Sequence, residues 1–184
     1  MTVSDRPSVS SGKPILRVVP LLVFVAAFSL YAATAAPGTL FGDPSEYQFI
    51  PAILGIAHPP GYAFYILLAK LWQTVVPVGT IAFRTNLLAA AVGGWVVTAV
   101  YLIVRDVGAS PSWNTGGLGV AGQSTNLPVY QSTNILAPLF AALSLAAAPD
   151  LWQHAIHANA HIVSAALATT HLWLLVRWWR TGRD

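Results

Sequence analysis

Gly61-Tyr62-Ala63-Phe64-Tyr65-Ile66-Leu67-Leu68-Ala69-Lys70-Leu71-Trp72-Gln73-Thr74-Val75-Val76 is the stretch on which the fold turns. It is apolar enough to suggest a membrane span, yet Lys70 and Gln73 interrupt it and Pro77 ends it. Charge placement decides between the two readings. If the stretch does not cross, the spans are 18–36, 83–104, about 131–148 and 160–176. Arg6, Lys13, Arg17, Arg105, Arg177, Arg180 and Arg183, seven of the nine basic residues, then fall inside. If it does cross, the division is five against four. Basic residues concentrate on the cytoplasmic side of a membrane protein. The sequence therefore predicts four spans, with 61–76 lying along the outer surface.

The composition around that stretch agrees. The 184 residues are 55% hydrophobic and only 8% charged, where a soluble domain has about 25% charged residues. Long apolar runs predict an all-α polytopic membrane protein rather than a barrel. A net charge of +3, spread beside apolar runs, marks topology and gives no nucleic-acid signal. Without cysteine there is neither a disulfide framework nor a thiolate metal site. The seven Trp suit interfacial belts.

Upstream, residues 1–14 are polar and aperiodic and read as a disordered cytoplasmic tail. The rest, 15–184, reads as one transmembrane module, its outer loop at 37–82. The run Val18 to Ala36 is long enough to cross a core of ~30 Å. Its basic start and Ala33-Thr34-Ala35 also fit a cleavable signal peptide. Downstream, 107–134 is rich in Gly, Ser, Asn and Thr and reads as a flexible cytoplasmic loop. No internal repeat is evident.

The chemistry lies in the outer loop. In Gly42-Asp43-Pro44-Ser45-Glu46-Tyr47, two carboxylates stand three residues apart beside apolar surface. Such a setting raises a carboxylate's proton affinity, which suits a general base. The same residues also fit a helix start running to about Ile53, with Asp43 at N-cap, Pro44 at N1 and Glu46 at N3. The two readings are compatible: one Asp can cap a helix and face a substrate. His58-Pro59-Pro60-Gly61 predicts a rigid extended segment. Lys70 and Arg84 are the outer-face cations, able to hold a lipid phosphate or simply to snorkel and anchor a helix end. His154, His157 and His161, spaced i, i+3, i+7, share one helical face; this face could hold a metal but reads better as a polar face lining a pocket.

Three segments together resemble a known family. They are Phe41 to Tyr47, then Gly55-Ile56-Ala57-His58-Pro59-Pro60-Gly61-Tyr62, then Phe83-Arg84-Thr85-Asn86-Leu87-Leu88. They are similar to the protein O-mannosyltransferase-like membrane proteins of the GT-C glycosyltransferase class. The resemblance covers about residues 15–106 and continues weakly to about Arg177. It implies transfer of a sugar from a polyprenyl-phosphate carrier, without a metal or other cofactor, to a protein hydroxyl at the outer face of the plasma membrane. It implies Asp43 as base, Glu46 beside it, and His58, Tyr62, Lys70, Arg84 and His161 as substrate contacts. Three departures stand out: Pro44-Ser45 where the family has a small pair, Asn159 where it tends to have Glu, and the insertion at 107–134. GT-C enzymes also have more spans, so the resemblance implies a truncated or split form, or a second chain that completes it. A non-catalytic membrane module binding a lipid-linked sugar or a partner subunit is the alternative; a small transporter component is a third reading.

Overall fold

The computed structural model describes residues 15–108 and 135–181. The expected tail 1–14 and all but the start of the expected loop 107–134 lie outside the described residues. Among the described residues every element is a helix. In chain order they are α1 (Ile15–Thr34), α2 (Asp43–Ile53), α3 (Ala63–Val75), α4 (Ile81–Gly108), α5 (Leu136–Ala146), α6 (Pro149–Ala155) and α7 (Ala160–Thr181).

α4 is the axle. It contacts each of the other six helices. Its sequence explains this: Ala89, Ala90, Gly93, Gly94 and Ala99 are all buried, and small side chains let neighbouring backbones approach. A Cβ on Gly94 would lie 3.2 Å from the backbone nitrogen of Phe28 in α1. A Cβ on Gly93 would lie 2.7 Å from the Cβ of Ala155 in α6. Tyr31 of α1 fills the space beside this crossing. It is fully buried, its ring meets Trp152 edge-on, and its hydroxyl donates to the Ala146 carbonyl at 3.0 Å.

The two ends of α4 are polar in different ways. At its start, buried Thr85 meets Gln73 of α3, and buried Asn86 meets Ala36 just after α1, Gln48 of α2 and Ala158 before α7. At its far end, Asp106 accepts from Arg105 at 2.9 Å and from the Trp173 indole at 3.1 Å, with Arg180 at 3.6 Å. Arg177 stacks over Trp173 at 5.4 Å.

One helix among the described residues, α4, is by itself long and apolar enough to cross a membrane. α6 and α7 would make a second, but they bend by 116° at their break. The apolar stretches Val18–Thr34, Ala63–Val75 and Leu136–Ala146 are shorter. The expected run of 131–148 is not continued past Pro149, because the chain leaves helical geometry at Ala148 and α6 starts anew. α3, at 13 residues, rises only ~20 Å, short of the ~30 Å core.

Candidate active site

Gly42 opens the site. Its φ of 75° is left-handed, which only glycine takes without cost, and it lets the chain turn into α2 one residue early. The expected capping arrangement is therefore not formed. Gly42 occupies the N-cap, Asp43 becomes the first helical residue, and no side chain caps the helix. Ser45 instead bonds back to the Gly42 carbonyl through its amide at 3.0 Å and its hydroxyl at 2.7 Å. Asp43 is exposed and makes no hydrogen bond or ion pair among the described residues.

Glu46 faces the next segment. One carboxylate oxygen accepts the His58 backbone N–H at 2.6 Å, and the other meets His58 Nδ1 at 2.5 Å. Hydrogen bonding to His58 holds the Glu46 carboxyl below its ordinary range. The same bond raises His58, and the Asp43 charge adds to it. Residues 58–61 form a turn rather than the expected extended segment. The Gly61 amide closes on the His58 carbonyl at 2.9 Å, around a cis Pro59–Pro60 bond. Gly61 and Tyr62 follow at positive φ and turn the chain into α3.

Aromatic rings build the floor. Tyr47 lies at their centre, with the rings of His58, Tyr62 and Tyr65 at 5.8, 5.4 and 5.4 Å. Tyr62 also meets His58 at 5.7 Å and His161 of α7 at 6.0 Å, both edge-on. Burial pushes the Tyr47 and Tyr65 phenols up, so both stay neutral. The Tyr47 hydroxyl is buried and has no hydrogen-bond partner among the described residues. The structure thus brings together Asp43, Glu46, His58, Tyr62 and, across Tyr62, His161.

Lys70 and Arg84 do not join them. Lys70 donates to the Ala52 carbonyl at 2.6 Å, at the opposite end of α2, where a cation complements the helix dipole. Arg84 donates to the carbonyls of Gln73 at 3.2 Å and Gly79 at 3.3 Å, and so closes the α3–α4 connection.

Beneath the site is a polar knot to which the sequence reading gave no role. Asn86 donates to the Ala36 carbonyl at 2.7 Å, and its oxygen accepts from Gln48 and from the Ala158 amide, each at 2.9 Å. Gln48 also holds the Gly38 carbonyl and the Leu40 amide. Gln73 bonds the Gln48 carbonyl at 3.1 Å and Thr85 at 2.8 Å. The available signal was a polar trio, Arg84-Thr85-Asn86, at the mouth of an apolar helix.

Residues 43–184 match the family model described as the protein O-mannosyl-transferase TMEM260 N-terminal domain. The match takes in Asp43, Glu46, His58, Tyr62 and His161. The chain belongs to this family. A mouse protein O-mannosyl-transferase TMEM260 is 32% identical over 120 residues, 65% of this chain and 16% of that protein. A Dictyostelium discoideum protein O-mannosyl-transferase tmem260 is 27% identical over 86 residues, 46% of this chain and 10% of that protein. The chain thus aligns with about a sixth or less of these relatives' length. No solved structure matches.

In this TMEM260-type N-terminal domain the three histidines do not share a face. α6 ends at Ala155, so His154 lies on α6, His157 in the bend and His161 on α7. The cause is local: Asn159 bonds the His161 amide at 2.7 Å and caps α7, which starts a new helix axis. Asn159 also holds His154 at 2.8 Å. No group of three His, Asp or Glu able to hold a metal occurs among the described residues. His154, His161 and Asp150 instead rim an open groove of about 560 Å³ whose wall includes Val96, Val100 and Ile162.

Proposed function

We propose that this chain is the membrane-embedded N-terminal module of a GT-C-type glycosyltransferase that moves mannose from a polyprenyl-phosphate carrier to a protein hydroxyl. The observation that carries the reading is Asp43: an exposed carboxylate with no hydrogen-bond or ion-pair partner among the described residues, beside a neighbouring acid already occupied by His58. A base must be free to take a proton, and Asp43 is the free acid of the pair. The carrier phosphate and the acceptor come from the GT-C resemblance and the relatives' names.

The chemistry follows from that assignment. Asp43 takes the acceptor hydroxyl proton as the oxygen attacks the anomeric carbon. The bond from that carbon to the phosphate oxygen breaks, its electron pair leaves with the polyprenyl phosphate, and the anomeric configuration inverts. Tyr62 and His161 flank the sugar.

Several features support placement in a membrane. Asn86 and Asp106, at opposite ends of α4, are 20 residues apart and so separated by ~30 Å, the thickness of a bilayer core. Arg105, Arg177 and Arg180 gather at the Asp106 end, as the positive-inside rule asks of a cytoplasmic face. In this reading α1, α4 and α7 are spans, and the expected run 131–148, which contains α5 and starts outside the described residues, is the fourth. The N-terminus is cytoplasmic and Asp43 faces outward from the plasma membrane. α2 and α3 lie at the interface with Phe49, Ile53, Phe64, Leu67 and Leu71 exposed toward lipid. Further spans come from a second chain or a longer form.

The test is to supply labelled polyprenyl-phosphate-mannose and acceptor protein to membranes containing the chain. Label entering protein above control membranes is the expected result. Carrier retained without transfer would replace this reading with the binding module, and neither transfer nor retention would refute both.

A further inference from the structure

The two carboxylates that open α2 have different situations. Asp43 is unpartnered, while both oxygens of Glu46 are occupied by one residue, through the His58 amide at 2.6 Å and the His58 ring at 2.5 Å. A carboxylate only accepts, so the ring nitrogen facing it, Nδ1, carries the proton. That leaves Nε2 as the outward nitrogen, and it makes no hydrogen bond among the described residues. The rings of Tyr47 and Tyr62, at 5.8 and 5.7 Å, fix the imidazole plane, yet the side chain is 38% exposed. The Glu46 side chain beneath it is 29% exposed.

The cations named from the sequence are committed elsewhere. Lys70 bonds the far end of α2, and Arg84 bonds carbonyls of the α3–α4 connection. Of the groups bonded to Glu46, His58 keeps one ring nitrogen open and exposed, so it can offer a charged donor to an anion. We propose that His58 Nε2 receives the phosphate of the lipid carrier, and that Glu46 is a positioning residue that clamps His58 rather than a second base. This deepens the proposed function and rests on it for the identity of the carrier.

The groups facing His58 are Glu46, Asp43 and Tyr47 from α2, and Tyr62 ahead of α3, with His161 of α7 behind Tyr62. Glu46 and Asp43 both favour the doubly protonated ring, so phosphate affinity falls as pH rises past the raised His58 value.

The experiment titrates the purified full chain, in detergent, with a short-chain polyprenyl monophosphate, and follows the histidine ring nitrogens by ¹⁵N NMR. Wild type should show one Nε2 signal that shifts on saturation, and inorganic phosphate should move the same signal more weakly if the lipid chain contributes. His58→Gln should weaken carrier binding about tenfold or more. Glu46→Gln should move the pH at which binding weakens downward, and Glu46→Asp should restore part of that shift, which a purely structural role would not do. An Nε2 signal unmoved by saturating carrier overturns the proposal even if the variants misfold. So does loss of binding in Arg84→Gln or Lys70→Gln with His58→Gln unaffected. These readouts need no turnover. Absence of sugar transfer alongside them would remove the glycosyltransferase reading alone, whereas transfer with carrier affinity indifferent to His58 would remove this inference alone.

Discussion

Asp43, Glu46, His58, Tyr62 and His161 were named through the family resemblance, and the structure gathers them in one place, with Glu46 bonded to His58 and Tyr62 between His58 and His161. Lys70 and Arg84 were named with them, but spacing does not reveal that the carbonyl ends of α2 and α3 will lie beside them. Asn86 was the reverse case. Its partners stand 38, 50 and 72 residues away, so no local pattern exposes its role. Replacing Asn86 by Ala leaves the Ala36 carbonyl, the Ala158 amide and a Gln48 hydrogen unpaired in a buried place. At ~1–3 kcal/mol for each unsatisfied group, the variant should melt well below wild type in detergent. An unchanged melting temperature would contradict the knot's structural role. The Glu46–His58 clamp carries its own pH signature. The His58 contribution is complete below its ordinary 6.5 and is lost as pH rises through its raised folded value. The Glu46 contribution is present above its ordinary 4.5 and is lost as pH falls through its depressed value. Protection of the 58–62 segment from protease should thus peak between those two ordinary values. Glu46→Gln should flatten the profile, and a flat wild-type profile would count against the clamp.

At the level of elements, α2 appears from Asp43 to Ile53 as the Asp-Pro start and apolar mix suggested, and α3 is short as Lys70, Gln73 and Pro77 suggested. The break between α6 and α7 was not legible, because Asn159 reads as an ordinary polar residue until its side chain is seen capping a new helix. The mid-helix glycines of α4 have a clear meaning only in three dimensions. Each costs ~1 kcal/mol of helix propensity relative to Ala, and the close approach of α1 and α6 is what requires them. Gly93→Val should therefore destabilise by ~1–3 kcal/mol or more through overpacking against Ala155 and Tyr31. Gly108→Ala, whose Cβ would meet nothing within 4 Å, should be neutral or mildly stabilising. Parallel thermal melts of the two variants check this, and equal melting temperatures would show that the crossing tolerates bulk.

For the whole molecule, an apolar, charge-poor composition pointed to a helical membrane protein before any element was placed, and the proposed placement sets the polar knot and the ion cluster, at opposite ends of α4, at its two faces. The native chain has no cysteine, so a single introduced thiol reports its side cleanly. A cysteine at Ile56, which is 86% exposed in the outer loop, should react with a membrane-impermeant maleimide on intact cells. One at Val107, beyond Asp106, should react only after permeabilisation; the reverse pattern would invert the proposed orientation. The most direct test of the central claim is turnover and carrier affinity of Asp43→Asn beside wild type in the same membranes. The free-base role predicts a fall in turnover of ~10²–10⁴-fold with carrier affinity retained. Wild-type turnover in that variant would contradict it.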